Sequence, residues 1–124
     1  KKRYYSLSEE DINSVKNFPI IVDLKISGLK TKELIKSLKN ISGGLFKIAL
    51  QKKKIRAGKG KLRGRKYKSN AGLLMVTGRD EKLKVSGIEV KKARTLSLTD
   101  LAMPLGRFVI YTENAIKELG ERTK

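Results

Sequence analysis

Residues 107–119 read Arg-Phe-Val-Ile-Tyr-Thr-Glu-Asn-Ala-Ile-Lys-Glu-Leu, and the pattern changes halfway. Arg107 to Tyr111 carries a run of β-branched and aromatic residues, which favours a strand, whereas Ala115, Ile116 and Leu119 recur at the spacing of one helix face. Between them, a helix is expected to begin at Thr112, with Glu113 an acid in the first turn, where the helix dipole favours negative charge. A strand feeding directly into a helix is the building unit of a layered α/β fold.

The same alternation appears on the N-terminal side of this unit. Leu73-Leu-Met-Val76 reads as a buried strand ending near Gly78, and Ile88-Glu-Val90 as a shorter one after Gly87. Arg79 to Val85 leaves room between them for one or two helical turns, and a capped turn is expected around Thr99-Asp100-Leu101. Earlier still, Ile20-Ile-Val22 suggests a brief buried strand. In Thr31 to Lys39, Leu34, Ile35 and Leu38 form an apolar stripe with Lys32, Lys36 and Lys39 outside it, and a stop is expected near Ser42-Gly43-Gly44. Leu45 to Leu50 fits either a strand or a helical turn. At the start, Ser6-Leu-Ser-Glu-Glu-Asp11 followed by Ile12 and Val15 predicts a short helix that ends before Pro19. Strands joined by helical connections imply parallel pairing, so the expected architecture is an α/β domain of three layers around a mostly parallel sheet. No internal repeat interrupts this alternation.

Composition narrows the function. A chain of 124 residues has room for one domain, expected to span 1–124. Cysteine and histidine are absent, which removes disulfides, thiolate metal sites and the commonest general base. No apolar run approaches the about 20 residues of a membrane span, and the basic opening runs into Glu9, Glu10 and Asp11 instead of the apolar stretch of a secretory signal. A cytoplasmic location is therefore expected, with no membrane partner. Lys and Arg total 30 against 12 Asp and Glu, a formal charge of +18. A heat-adapted surface mixes both signs; an excess this large calls for a polyanion, and nucleic acid is the natural one.

The excess concentrates in one place. Lys52-Lys-Lys-Ile-Arg-Ala-Gly-Lys-Gly-Lys-Leu-Arg-Gly-Arg-Lys-Tyr-Lys68 holds ten cations, namely Lys52, Lys53, Lys54, Arg56, Lys59, Lys61, Arg63, Arg65, Lys66 and Lys68, and no acid. Glycines at 58, 60 and 64 argue for a loop and allow close backbone approach to a phosphate, while Arg adds forked phosphate contacts. Tyr67 offers a ring on which an unpaired base can stack. The plainer reading of such a run is a solvated loop or a localisation signal. Its length and its place between folded segments favour a contact surface.

Other chemistries fit poorly. A P-loop needs a hydroxyl after its Gly-Lys, and Gly64 is followed by Arg65 and Lys66; Gly58-Lys-Gly-Lys-Leu-Arg-Gly64 is also one residue too long for G-x-G-x-x-G. Glu9, Glu10, Asp11 and Glu113 belong to helix starts. Neither a catalytic residue, a metal site, a cofactor nor a small-molecule substrate is expected. A regulatory RNA- or DNA-binding protein is the alternative class, but the helices offer no obvious base-reading face.

Lys54-Ile-Arg-Ala-Gly-Lys-Gly-Lys-Leu-Arg-Gly-Arg-Lys-Tyr67 resembles the basic signature of the large-subunit ribosomal protein L-four family in its archaeal and eukaryotic form. Ala102-Met-Pro-Leu-Gly-Arg-Phe-Val-Ile-Tyr-Thr-Glu-Asn-Ala115 is similar to that family's Gly-Arg-aromatic strand and following helix, and Pro19-Ile-Ile-Val22 with Lys30-Thr-Lys-Glu33 to its preceding segment. The three motifs occur in the family's order. The resemblance implies an α/β fold, no catalysis, ribosomal RNA of the large subunit and neighbouring ribosomal proteins as partners, and a role in subunit assembly. It implies that 52–68 lies against RNA with help from Arg107. Family members are longer, and their N-terminal half carries part of the fold and an extended loop toward the exit tunnel. This chain is accordingly expected to be the C-terminal half, with a sheet that the other half would complete.

Overall fold

The computed structural model describes residues 18–50, 54–68, 72–83, 85, 87–102 and 107–122. The helix expected over Ser6 to Val15 lies outside them.

Four short strands form one sheet: β1 (Ile20–Val22), β2 (Leu74–Thr77), β3 (Glu89–Lys92) and β4 (Val109–Thr112). Their order is β1-β4-β2-β3, and every pairing is parallel. In register, Leu74 lies opposite both Glu89 and Val109, and Ile20 opposite Ile110. The order puts β2 at the interior, which is why Leu-Met-Val-Thr is buried at all four positions and reads as a continuous apolar run instead of an alternating one. Strand β3 ends the sheet with Glu89, Lys91 and Lys92, charged side chains that discourage pairing with another chain at that edge. At the opposite edge, Ile20 and Val22 face inward while Ile21 is 52% exposed.

Successive strand residues point to opposite faces, and each face has its own apolar layer. On one, Ile20, Val22, Leu73, Met75 and Ile110 meet Leu34 and Leu38 of helix α1 (Thr31–Ser42), together with Ile26, Ala49 and Ile88. On the other, Leu74 and Val76 meet Ala93, Leu96 and Ala115, flanked by Val109, Tyr111, Leu101 and Leu119. The partners of these strand residues come from the segment around helix α3 (Leu98–Ala102) and from helix α4 (Glu113–Arg122). The sheet is therefore the middle of three layers, as the sequence predicts.

Local chemistry explains the helix limits. Helix α1 buries Leu34, Leu38 and Ser42 at four-residue steps and stops at Gly43, whose φ of 50° suits glycine. Leu45 to Leu50 resolves as helical: a single 3-10 turn leads into α2 (Phe46–Ala49), which sets Leu45 and Ala49 inward. Helix α3 begins with reciprocal bonds, in which the Asp100 amide donates to Ser97 Oγ (3.3 Å) and the Ser97 amide to the Asp100 carboxylate (3.2 Å). The second bond, with help from the Ser97 hydroxyl and Lys91, holds the Asp100 carboxyl below the usual carboxylate range. Helix α4 begins one residue after the expected start at Thr112, which caps it instead, the Ala115 amide donating to Thr112 Oγ1.

One expectation fails. Among the described residues between Gly78 and Glu89 there is no helix. Glu81 turns inward instead, its carboxylate accepting from the Gly78 amide (3.0 Å) and the Thr112 hydroxyl (2.7 Å), while Leu83 and Val85 pack on the first apolar layer. Those anchors, to residues before and after it in the chain, outweigh the local bonds of a one-turn helix, which nucleates poorly alone. The third strand is also displaced from Ile88–Val90 to Glu89–Lys92, with Ile88 serving as core ahead of it.

The strands' N-terminal edge is tied by one cation. Arg107, just before β4, has a side chain only 4% exposed. Its Nε donates to the Gly72 carbonyl (3.0 Å) and its Nη2 to the Glu89 carboxylate (2.7 Å), joining the starts of β2, β3 and β4. Next to it the Leu74 amide donates to the Phe108 carbonyl, and the Leu73 amide to the carbonyl of Ala49 at 2.7 Å. The chain thus leaves the fold at Ala49 and returns at Gly72 side by side.

Four substitutions test this account by urea unfolding. Ile110→Ala, at a fully buried position, should cost about 2–5 kcal/mol, whereas Ile21→Ala at the open edge should stay within about 1 kcal/mol. Arg107→Ala should cost about 1–3 kcal/mol by leaving a buried carbonyl unpaired, with Arg107→Lys recovering only part because it lacks the forked guanidinium.

Candidate nucleic-acid interface

The basic stretch is folded back on itself. Ile55 and Tyr67 form an antiparallel bridge, reinforced by the Lys68 amide donating to the Lys54 carbonyl (2.8 Å) and the Arg56 amide to the Lys66 carbonyl (2.9 Å). Beyond this pinch the chain makes one 3-10 turn at Lys59–Lys61, with the Lys61 amide bonded to Gly58 and the Leu62 amide to Lys59. The Arg65 amide then donates to the Gly60 carbonyl (3.1 Å) and closes the far end. The two reversals occur at glycines with φ of 86° (Gly58) and 71° (Gly64), values that an L side chain rarely tolerates. The loop expected from its glycines is therefore present, and it is more ordered than composition alone indicates.

Closure arranges the cations. Lys54, Lys59, Lys61, Arg63, Arg65, Lys66 and Lys68 are exposed, and Arg56 is half-buried. Among the described residues, the ion pairs join Lys25 to Asp23, Lys91 to Asp100 and Arg107 to Glu89, so none neutralises the loop. Tyr67 is 47% exposed, with Lys66 Nζ 5.9 Å from its ring centre. Lys52 and Lys53 lie outside the described residues.

Arg107 sits in a different setting from the loop cations: its guanidinium points into the fold and bonds the Gly72 carbonyl and the Glu89 carboxylate. Two further features escaped the sequence reading. Leu62 is 86% exposed at the far end of the loop, an aliphatic side chain flanked by Lys61 and Arg63. Arg56 turns back across Gly60, a contact for which the four-residue Arg-to-Gly spacing was the only available signal.

Among the described residues no group of three or more carboxylates gathers to hold a metal ion. A groove of about 740 Å³ runs between 94–101 and α4, lined by Leu96, Leu98, Leu101 and Leu119 with Arg94, Arg122 and hydroxyl residues. No carboxylate lines it, so it holds no acid/base pair. At the C-terminal edge of the strands, where α/β folds often bind ligands, Glu81 binds Gly78 and Thr112 and Glu118 binds the Arg79 amide. Glu81 Oε1 is buried without a partner, and Asp80, Glu118 and Glu121 line a hollow of about 470 Å³ together with Arg79, Arg94 and Arg122.

No family model matches the chain. The chain is 40% identical over 113 residues to the large ribosomal subunit protein uL4 of Thermoplasma volcanium, a match covering 83% of this chain and 44% of that protein. It is 33% identical over 119 residues to uL4 of Methanosphaera stadtmanae, covering 89% and 46%, and 35% identical over 118 residues to uL4 of Candida albicans, covering 87% and 32%. The chain spans less than half the length of these relatives. Archaeal and eukaryotic relatives alike match most of its residues, and the chain belongs to the uL4 family of large ribosomal subunit proteins.

Proposed function

We propose that this chain is a structural, non-catalytic component of the large ribosomal subunit that binds ribosomal RNA through residues 52–68 and supports subunit assembly. The observation that carries the reading is the closed loop 54–68, which gathers eight cations with no acid among them on a hydrogen-bonded frame. Family membership supplies the setting, the ribosome, with neighbouring ribosomal proteins as further partners.

The physical mechanism is charge neutralisation with geometry. Each Lys or Arg that meets a phosphate releases condensed counterions, which gives affinity, while the fixed loop decides which phosphates are reached together. Irregular RNA brings phosphates closer than a duplex does and leaves bases unstacked; Tyr67 and Leu62 then offer an aromatic and an aliphatic surface beside the cations. The sheet acts as a base plate, and Arg107 contributes by fixing the loop's root. Catalysis has no place in this reading, because the sequence lacks His, the commonest general base, and Cys.

The test is a salt titration of binding to a large-subunit ribosomal RNA fragment and to an unrelated RNA of equal length, with the chain and its Arg63→Ala/Arg65→Ala variant. The chain should prefer the ribosomal fragment, and the variant should bind more weakly with a log–log salt slope shallower by about 1.5, corresponding to two lost phosphate contacts. Urea unfolding should be unchanged, since both side chains are exposed. Equal binding to both RNAs, or a variant that binds like the parent, contradicts the proposal.

A further inference from the structure

The geometry points to Arg56 as the internal strut of the basic loop, a positioning residue that sets the arrangement in which the other cations meet RNA. This inference rests on the reading of the loop as an RNA interface and adds that the interface is built before RNA arrives.

Four contacts carry it. The Arg56 amide donates across the loop to the Lys66 carbonyl at 2.9 Å, and its side-chain Nε to the neighbouring Arg65 carbonyl at 3.3 Å. The Arg65 amide in turn donates to the Gly60 carbonyl at 3.1 Å. Finally, the Arg56 side chain lies over Gly60, so that a Cβ built at residue 60 would stand 2.8 Å from Arg56 Cδ. Arg56, Gly60, Arg65 and Lys66 thereby form one brace across the loop, and Arg56 is half-buried where most of its neighbours are exposed.

The brace has a physical purpose. Cations repel one another, and a loop with no acid would spread if only its bridge at Ile55 and Tyr67 held it. A guanidinium satisfying a backbone carbonyl inside the loop resists that spreading and lowers the ordering cost when RNA binds. Gly60 differs from Gly58 and Gly64, whose positive φ values explain them through backbone conformation. Gly60 has no such φ; a Cβ there would meet Arg56 Cδ, so the Arg56 side chain would have to shift to admit it.

The contact yields a test in which charge never changes. Gly60→Ala adds one methyl that displaces Arg56, and Arg56→Lys keeps the cation but loses the planar Nε donor. Each should weaken binding to a large-subunit ribosomal RNA fragment by about tenfold while leaving the salt slope unaltered. The double variant should bind no more weakly than either single one, because both break the same contact. Gly28→Ala, where the added carbon meets nothing within 4 Å, should bind like the parent. In the protein without RNA, exchange of the Arg65 amide and Arg56 Nε protons, read by NMR, should be slowed in the parent and fast in Gly60→Ala. If the parent binds the ribosomal fragment and Gly60→Ala and Arg56→Lys both bind within about twofold of it, the strut is refuted. If the parent shows no preference for the fragment, the RNA reading fails instead, and equal exchange in parent and Gly60→Ala would then refute the strut independently.

Discussion

The buried guanidinium of Arg107 is the interaction on which the arrangement depends. A charge inside a protein is costly unless it is paired and hydrogen-bonded, so Arg107 can occupy its place only if the Gly72 carbonyl and the Glu89 carboxylate are both in position. That requirement ties the starts of β2, β3 and β4 to one another. It also fixes the point where the basic loop rejoins the fold, beside Ala49 where it departs. Loop closure over the intervening residues costs chain entropy, and the apolar layers on both faces of the sheet offset that cost.

The division of labour follows from the two edges of the sheet. At the C-terminal edge, Glu81, Thr112, Arg79 and Glu118 bond one another and the adjacent backbone, which keeps the turn after β2 against α4. At the N-terminal edge the chain extends a polycationic loop outward. On the proposed reading, function in this fold is grafted on as a loop and does not occupy the crevice that α/β enzymes use. The loop supplies what a structural RNA contact needs: positive charge without internal neutralisation, backbone held by its own hydrogen bonds, and a few apolar or aromatic tips.

Much of this was legible in the sequence because the relevant signals are local. A strand buried on both faces shows as an unbroken apolar run at Leu73 to Val76, and the stripe of Leu34 and Leu38 declares the face of α1. Thr112 and Glu113 mark the start of α4 by cap chemistry alone. What escaped depends on residues far apart in the chain. Arg107 reads as one more cation until Gly72 and Glu89, 35 and 18 residues away, are brought to it. The segment after Gly78 has helical length, yet Glu81 is drawn to Thr112 by a bond that no local propensity encodes. In the basic loop, composition announced charge and flexibility, whereas the brace through Arg56 and Gly60 follows from side-chain packing that composition does not carry.

The most direct measurement of the central claim is ultraviolet crosslinking of the chain to a large-subunit ribosomal RNA fragment, followed by mass spectrometry of the crosslinked peptides. The account predicts that crosslinks concentrate within residues 52–68, with Tyr67 prominent among them because its ring can stack on a base. Crosslinks that fall instead along α1 or the groove between Leu96 and Leu119, with 52–68 unmarked, would contradict it.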